Sequence, residues 1–112
     1  MIYQLDKLKE MAEGDTDFIE AVMATFVDEV PADLIKLQAA IQVVDYNSIY
    51  KLAHKMKPNL ELLGLEKARV NALEIEKSGK GKEHLDEIKK RFAELLEEVT
   101  LVTRQIEKDF DF

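Results

Sequence analysis

The sequence contains no cysteine, only four glycines and two prolines, and no long apolar run. Without cysteine there can be no disulfide, no thiolate metal site and no cysteine nucleophile, which fits an intracellular protein. No apolar run approaches the roughly 20 residues that a membrane span needs, and the opening MIYQLDKLKE resembles neither a signal peptide nor a lipidation motif. We therefore expect a cytoplasmic protein that is not attached to a membrane.

Positive charge is scarce in the first half of the chain. The net charge is −7, and it comes from residues 1–50, which hold 3 basic and 10 acidic side chains. This balance argues against nucleic-acid binding, whose energy comes largely from lysine and arginine meeting phosphates. The 112 residues, of which 46% are hydrophobic and 35% charged, suffice for one globular core. We therefore predict a single domain over residues 1–112.

No stretch alternates apolar and polar residues long enough to predict strands, and helical spacing dominates instead. A short helix is predicted from Ile2 to about Met11, and Asp15, Thr16 or Asp17 can cap the next one. That second helix has apolar residues every three or four positions, and Pro31 inside it predicts a kink or break. The apolar positions are Ile19, Met23, Phe26, Val30, Leu34, Leu37, Ile41 and Val44.

Three further helices follow by the same criterion. The third is capped by Asp45 or Asn47 and ends near Gly64, the fourth runs from about Leu65 to Lys77, and a loop is predicted over 78–82. The last helix carries an apolar seam of Leu85, Ile88, Phe92, Leu95, Val99, Val102 and Ile106. The prediction is an all-α fold, an antiparallel four-helix bundle with a short additional N-terminal helix at one end.

The sequence has two histidines, and one of them stands out by its position on the third helix. His84 is predicted to be an exposed residue, and we assign it no role. His54 lies at the edge of the apolar stripe, where its ring should face solvent beside Lys51, Lys55 and Lys57. A helical histidine flanked by lysines is usually only part of a solvated surface, so spacing alone does not indicate function.

The string around His54 is AHKMKPNLELLGL, residues 53–65. It resembles the signature of the histidine phosphotransfer (HPt) family, with an alanine-histidine pair, a lysine three residues after the histidine, and a leucine-glycine pair about ten residues on. The resemblance also covers the architecture of the whole chain. It implies that His54 is a phosphoacceptor, and a neutral imidazole does have a free lone pair for attack on phosphorus.

The same resemblance implies roles for three other residues. Lys57 matches the family lysine that helps to neutralise phosphoryl oxygens, and Lys55 can add to that field. Glu76 stands about twenty-two residues after the histidine, where the family has a glutamate or glutamine that bonds the other ring nitrogen. From sequence alone, Glu76 is about as well explained as a solvated residue of an amphipathic helix.

Two positions near His54 bear on the shape of the third helix. Many family members have glycine or serine where this chain has Pro58, which cannot donate to the His54 carbonyl. We expect the helix to bend or loosen there, which would keep one side of the ring open. Gly64 is expected to let the third and fourth helices come close at their turn.

The function implied is relay of a phosphoryl group between receiver-domain aspartates in a two-component phosphorelay, without kinase activity, because no ATP-binding motif is present. The expected partners are receiver domains of hybrid kinases and response regulators, which would contact Tyr50 and Val43 or Val44. We expect a monomer with no metal or cofactor of its own, and Mg²⁺ on the receiver. Two alternatives stay open: a helical adaptor or dimerisation bundle that uses the last seam, and the phosphoacceptor domain of a larger chemotaxis-type kinase.

Overall fold

The computed structural model describes residues 2–112, and in this range it contains five α-helices and no strand. The helices are α1 (Asp6–Ala12), α2 (Thr16–Gln42), α3 (Tyr46–Leu62), α4 (Glu66–Gly81) and α5 (Leu85–Phe110). Helices α2 to α5 form an antiparallel bundle in which α2 packs on α3 and α5, and α4 packs on the same two helices. The predicted all-α bundle with a short N-terminal helix is confirmed.

The starts of α2 and α3 are fixed by aspartate caps. The Asp15 side chain accepts from the backbone N–H of Phe18 at 3.1 Å, and the Asp45 side chain accepts from that of Ser48 at 3.2 Å. Each bond satisfies one of the N–H groups that a helix leaves unpaired in its first turn. Of the two residues predicted to cap the third helix, Asp45 makes the bond.

The apolar seam of α5 is buried inside the bundle. Six of its seven residues, from Ile88 to Ile106, are buried against the other helices, and Leu85 packs partly buried at its start. Burial of apolar side chains at helical spacing is the main source of stability for such a helix. The seam is therefore accounted for within this chain and requires no partner helix.

The opening segment closes one end of the bundle. Tyr3 is buried and its hydroxyl donates to Asp109 Oδ2 at 2.6 Å, while the backbone N–H of Gln4 donates to the Leu63 carbonyl at 2.8 Å. The helix predicted from Ile2 begins only at Asp6, because residues 2–5 run without helical bonds across the ends of α3 and α5. The segment thus ties the α3–α4 turn to the end of α5.

Two further local features differ from the prediction. A kink or break was predicted at Pro31, and there is no break: α2 is continuous on both sides of it, with Val30 and Leu34 buried in the core. The fourth helix does not end at Lys77 but continues to Gly81, through most of the predicted loop.

Gly64 does not provide the close helix approach that was expected of it. It adopts a left-handed φ of +69°, and a Cβ there would lie 3.0 Å from the Gln4 Cβ, so its contact is with the opening segment. The close approach of α3 and α4 occurs at Gly79, where a Cβ would lie 3.0 Å from the Tyr50 backbone nitrogen. None of the described helices is both long enough and apolar enough to cross a bilayer.

Candidate functional site

His54 lies on the exposed face of α3 with its side chain 64% accessible. The neighbouring Ala53 and Met56 are fully buried, which fixes the direction in which His54 projects. Pro58 is also within α3, and it has no N–H to donate to the His54 carbonyl one turn earlier. The helix nevertheless continues to Leu62, so the backbone under the imidazole is helical on both sides.

Glu76 of α4 reaches the His54 ring. Its Oε2 lies 2.6 Å from Nδ1 of His54, and its Oε1 forms an ion pair with Lys57. Burial on its own would raise the pKa of Glu76, but the hydrogen bonds from Lys57 and His54, with their charges, bring it below its usual 4.5. The carboxylate is therefore ionised at neutral pH and can only accept hydrogen bonds.

An ionised partner at Nδ1 determines the tautomer of His54. Because a carboxylate cannot donate, Nδ1 must carry the proton in this contact. In the neutral ring the lone pair is then on Nε2. The arrangement presents an oriented, accessible nitrogen nucleophile whose other nitrogen is hydrogen-bonded to a negative charge.

The packing of α4 on α3 explains why Glu76 is in reach. One stripe of α4 with mostly small side chains is buried in the bundle; its residues are Ala68, Asn71, Ala72, Ile75, Ser78 and Gly79. At one end of this stripe Gly79 lies directly against the α3 backbone, whereas Asn71 accepts a hydrogen bond from Arg91 of α5. Glu76 follows Ile75 and so lies at the edge of this stripe, as His54 follows Ala53 on α3. The two edges meet, and the side chains of Glu76 and His54 form a hydrogen bond across the α3–α4 interface.

The two lysines predicted to help His54 point in different directions. Lys57 is 24% exposed and pairs with Glu76, beside the imidazole. Lys55 is 55% exposed and reaches across to α2, where its Nζ lies 3.0 Å from Oδ1 of Asp33. The structure brings Lys57 and Glu76 together at His54, whereas the contribution of Lys55 to a phosphate site stays a prediction.

Asp33 was not singled out from the sequence, although it is 2% exposed. Its position carried a signal, because Val30, Asp33, Leu34 and Leu37 lie on one helical face and only Asp33 among them is charged. A charged residue on a buried stripe must be paired. Lys55 supplies that partner from the neighbouring helix.

The remaining predicted positions lie around this site or away from it. Tyr50 is half-buried with its ring centroid 6.2 Å from that of His54, and Val43 and Val44 are exposed in the α2–α3 turn. Their proposed contacts with a partner stay predictions. His84 is exposed at the start of α5, 3.6 Å from its neighbour Glu83, and it contacts no part of the His54 site.

Comparison with known proteins agrees with this geometry. The family model for the Hpt domain matches residues 21–107, which is most of the chain. The chain therefore belongs to the Hpt domain family, and the predicted family membership is confirmed. A search of curated proteins found no match.

Two solved structures share the fold. Histidine-containing phosphotransfer protein B (HptB) from Pseudomonas aeruginosa PAO1 superposes with a TM-score of 0.84 at 22% identity, covering 94% of this chain and 90% of that one. The HPT domain of an Hpt sensor hybrid histidine kinase from Shewanella gives 0.83 at 19% identity, with coverages of 98% and 94%. At these identities the likeness supports the fold alone.

Proposed function

We propose that this chain is a phosphorelay intermediate that carries a phosphoryl group on Nε2 of His54 between aspartates of receiver domains. One observation carries the proposal: His54 is exposed, and its Nδ1 is bonded to an ionised Glu76. Membership of the Hpt family supports the same chemistry. The chain acts in this proposal as a carrier and not as a kinase.

The transfer step requires little from this chain beyond an oriented nucleophile. The Nε2 lone pair attacks the phosphorus of an aspartyl phosphate in line, the N–P bond forms, and the P–O bond to the donor breaks so that aspartate leaves as a carboxylate. The positive charge that develops on the ring is stabilised by Glu76 through the Nδ1 proton. Transfer to the next receiver is the same step in reverse.

In this proposal Lys57 stabilises the negative charge of the phosphoryl group. Its ammonium group sits one turn from His54 and is already held beside the ring by Glu76. It would offset the negative charge of the arriving phosphoryl group. The receiver would supply Mg²⁺, and we propose a cytoplasmic location and a monomeric state as part of this function.

The two alternatives differ in what supports them. The adaptor hypothesis relied on the α5 seam, which is buried within the bundle, so no specific observation favours it. For the phosphoacceptor domain of a larger chemotaxis-type kinase, neither of the two structural neighbours has that description: one is described as a domain of a hybrid histidine kinase and the other as a phosphotransfer protein. The chemistry proposed for His54 is the same in both settings.

The test is a transfer assay with phosphorylated receiver domains and Mg²⁺. We expect the wild type to acquire phosphate that is labile in acid and stable in base, which is the behaviour of phosphohistidine. His54→Gln should acquire none, and His84→Gln, which alters the other histidine, should transfer like the wild type. Absence of transfer from every receiver tried, or transfer that survives His54→Gln, would contradict the proposal.

A further inference from the structure

A second pair of side chains lies next to the His54–Glu76 pair. Tyr50 is one turn before His54 on α3, and Lys80 is one turn after Glu76 on α4. Because α3 and α4 are antiparallel, the Tyr50–Lys80 pair lies beside the His54–Glu76 pair at the α3–α4 interface. The Tyr50 ring is 6.2 Å from the His54 ring, and Lys80 Nζ is 5.8 Å from the Tyr50 ring centroid, within the range of a cation–π contact.

The position of Lys80 depends on the helical last turn of α4. Gly79 packs so closely on α3 that a Cβ would lie 3.0 Å from the Tyr50 backbone nitrogen and 3.3 Å from the Tyr46 carbonyl oxygen. Backbone atoms cannot move aside as a flexible side chain can, so this approach requires glycine. The residue after Gly79 is thereby carried on a helix against Tyr50, in a stretch whose composition predicts a loop.

The charges around His54 give this lysine a particular significance. Lys55 faces Asp33 and Lys57 faces Glu76, so each of these two lysines has a carboxylate against it. The third lysine near His54 on α3, Lys51, lies near Asp45, whose pKa is lowered by its bonds to Ser48 and also by the charge of Lys51. Among residues 2–112, no ion pair involves Lys80. An aromatic ring attracts an ammonium group through its quadrupole and leaves the net charge intact. Tyr50 can therefore hold Lys80 near the imidazole as an uncompensated cation.

Building on the phosphohistidine function proposed above, we propose that Lys80 is a second anion-stabilising residue, held by Tyr50, that favours the phosphoryl dianion on His54. The role is electrostatic and needs no contact with the attacking nitrogen. In this proposal Gly79 lets the end of α4 lie against α3, and Lys80 is thereby placed near His54. The chemical class recognised is a phosphoryl group on an imidazole nitrogen.

The test uses a small phosphodonor, so that it does not depend on finding a receiver. In a His84→Gln background, phosphoramidate phosphorylates His54: the N–P bond of the donor breaks, ammonia leaves with a proton, and a new N–P bond forms on the ring. Phosphorus NMR then follows the pKa of the phosphoryl group. In Lys80→Gln we expect that pKa to be higher by about 0.3 pH units, the effect of one charge about 10 Å away in a water-like medium.

Matched variants separate this role from net charge and from folding. Lys90→Gln on α5 removes the same charge, and it should change the phosphoryl pKa by much less. Tyr50→Phe keeps the ring and should match the parent protein, whereas Tyr50→Leu should shift the pKa in the direction of Lys80→Gln.

Several outcomes would overturn the proposal. These are a Lys80→Gln protein that titrates like its parent, an equal shift in Lys90→Gln, or failure of phosphoramidate to modify His54 at all. A modified His54 with no dependence on Lys80 would refute this inference and leave the proposed function standing. Failure of transfer from receivers, in contrast, would be seen only in the receiver assay.

Discussion

Replacing Gly79 with alanine should destabilise the protein, although alanine is the better helix former. The added Cβ would lie 3.0 Å from the Tyr50 backbone nitrogen, 3.1 Å from Ile49 Cγ2 and 3.3 Å from the Tyr46 carbonyl oxygen. Non-bonded carbon atoms prefer separations of about 3.5–4.0 Å, so α4 must retreat from α3 by roughly half an ångström or more. Overpacking of this kind costs about 1–3 kcal/mol.

The gain in helix propensity offsets part of that cost. Alanine is favoured over glycine by about 1 kcal/mol in a helix interior. The difference lies between zero and about 2 kcal/mol, so we expect Gly79→Ala to lower the free energy of unfolding by about 1 kcal/mol and the melting temperature by roughly 5 °C. Urea unfolding followed by circular dichroism would measure this as a lower midpoint with an unchanged slope.

Gly81 provides the control within the same helical turn. A Cβ there would meet only the carboxylate end of Glu83, at 3.0 Å from Oε1, and that flexible side chain can move away. Gly81→Ala should therefore be neutral or stabilise the fold by up to about 1 kcal/mol. If Gly79→Ala is as stable as Gly81→Ala, the close approach of α4 to α3 is not what the structure indicates, and the placement of Lys80 loses its basis.

Four further substitutions test the polar contacts. The pKa of Glu76 is lowered below 4.5, so the stability that its ionised form contributes is present above that pH and is lost as pH falls through the pKa of the folded protein. The difference in urea midpoint between wild type and Glu76→Gln should therefore be large at pH 7 and small at pH 3. Burial, then the bond to Asp109 and its charge, raise the pKa of Tyr3 from 10.0 to about 12. The neutral hydroxyl is thus favoured by the fold, and the advantage of the wild type over Tyr3→Phe, about 1 kcal/mol at pH 7, should disappear between pH 10 and 12. Lys55→Met leaves the buried Asp33 carboxylate unpaired and should lower the free energy of unfolding by about 1–3 kcal/mol. Adding Asp33→Leu should recover most of this loss in chemical denaturation, and no recovery would mean that the two residues are not coupled.

Periodicity predicted the helices well because each one buries a single apolar stripe. The apolar seam from Leu85 to Ile106 has strict helical spacing in the sequence, and α5 spans all of it before ending at Phe110. Capping chemistry located the starts of α2 and α3 because Asp15 and Asp45 act within three residues of themselves. Local rules suffice where the deciding interactions are local.

The errors occurred where distant packing decides the structure. Residues 78–82 contain two glycines and predict a loop, but Gly79 is a contact residue that lets α4 lie against α3. Pro31 removes one helical hydrogen bond, yet the burial of Val30 and Leu34 outweighs that loss and the helix continues. Gly79 contacts residues about thirty positions away, and Val30 and Leu34 are buried by side chains from other helices, so a local rule could predict neither outcome.

In the candidate site, too, some residues could be predicted from the sequence and some contacts could not. His54, Lys57 and Glu76 followed from the family motif, and the structure brings them into one hydrogen-bonded group. The ion pair between Lys55 and Asp33 of α2 could not be predicted, because it depends on the axial offset between α2 and α3. Tyr50 was singled out only as a docking residue, since its neighbour Lys80 is thirty positions away.

The most direct test of the central claim is to determine which nitrogen carries the phosphate after transfer from a phosphorylated receiver. Nδ1 of His54 is 2.6 Å from Glu76 Oε2 and holds its proton there, which leaves the lone pair of the neutral ring on Nε2, the nitrogen that we propose as the nucleophile. Two-dimensional proton–phosphorus NMR distinguishes the two isomers of phosphohistidine. The account predicts phosphate on Nε2 of His54 alone, and phosphate on Nδ1, on His84 or on another side chain would contradict it.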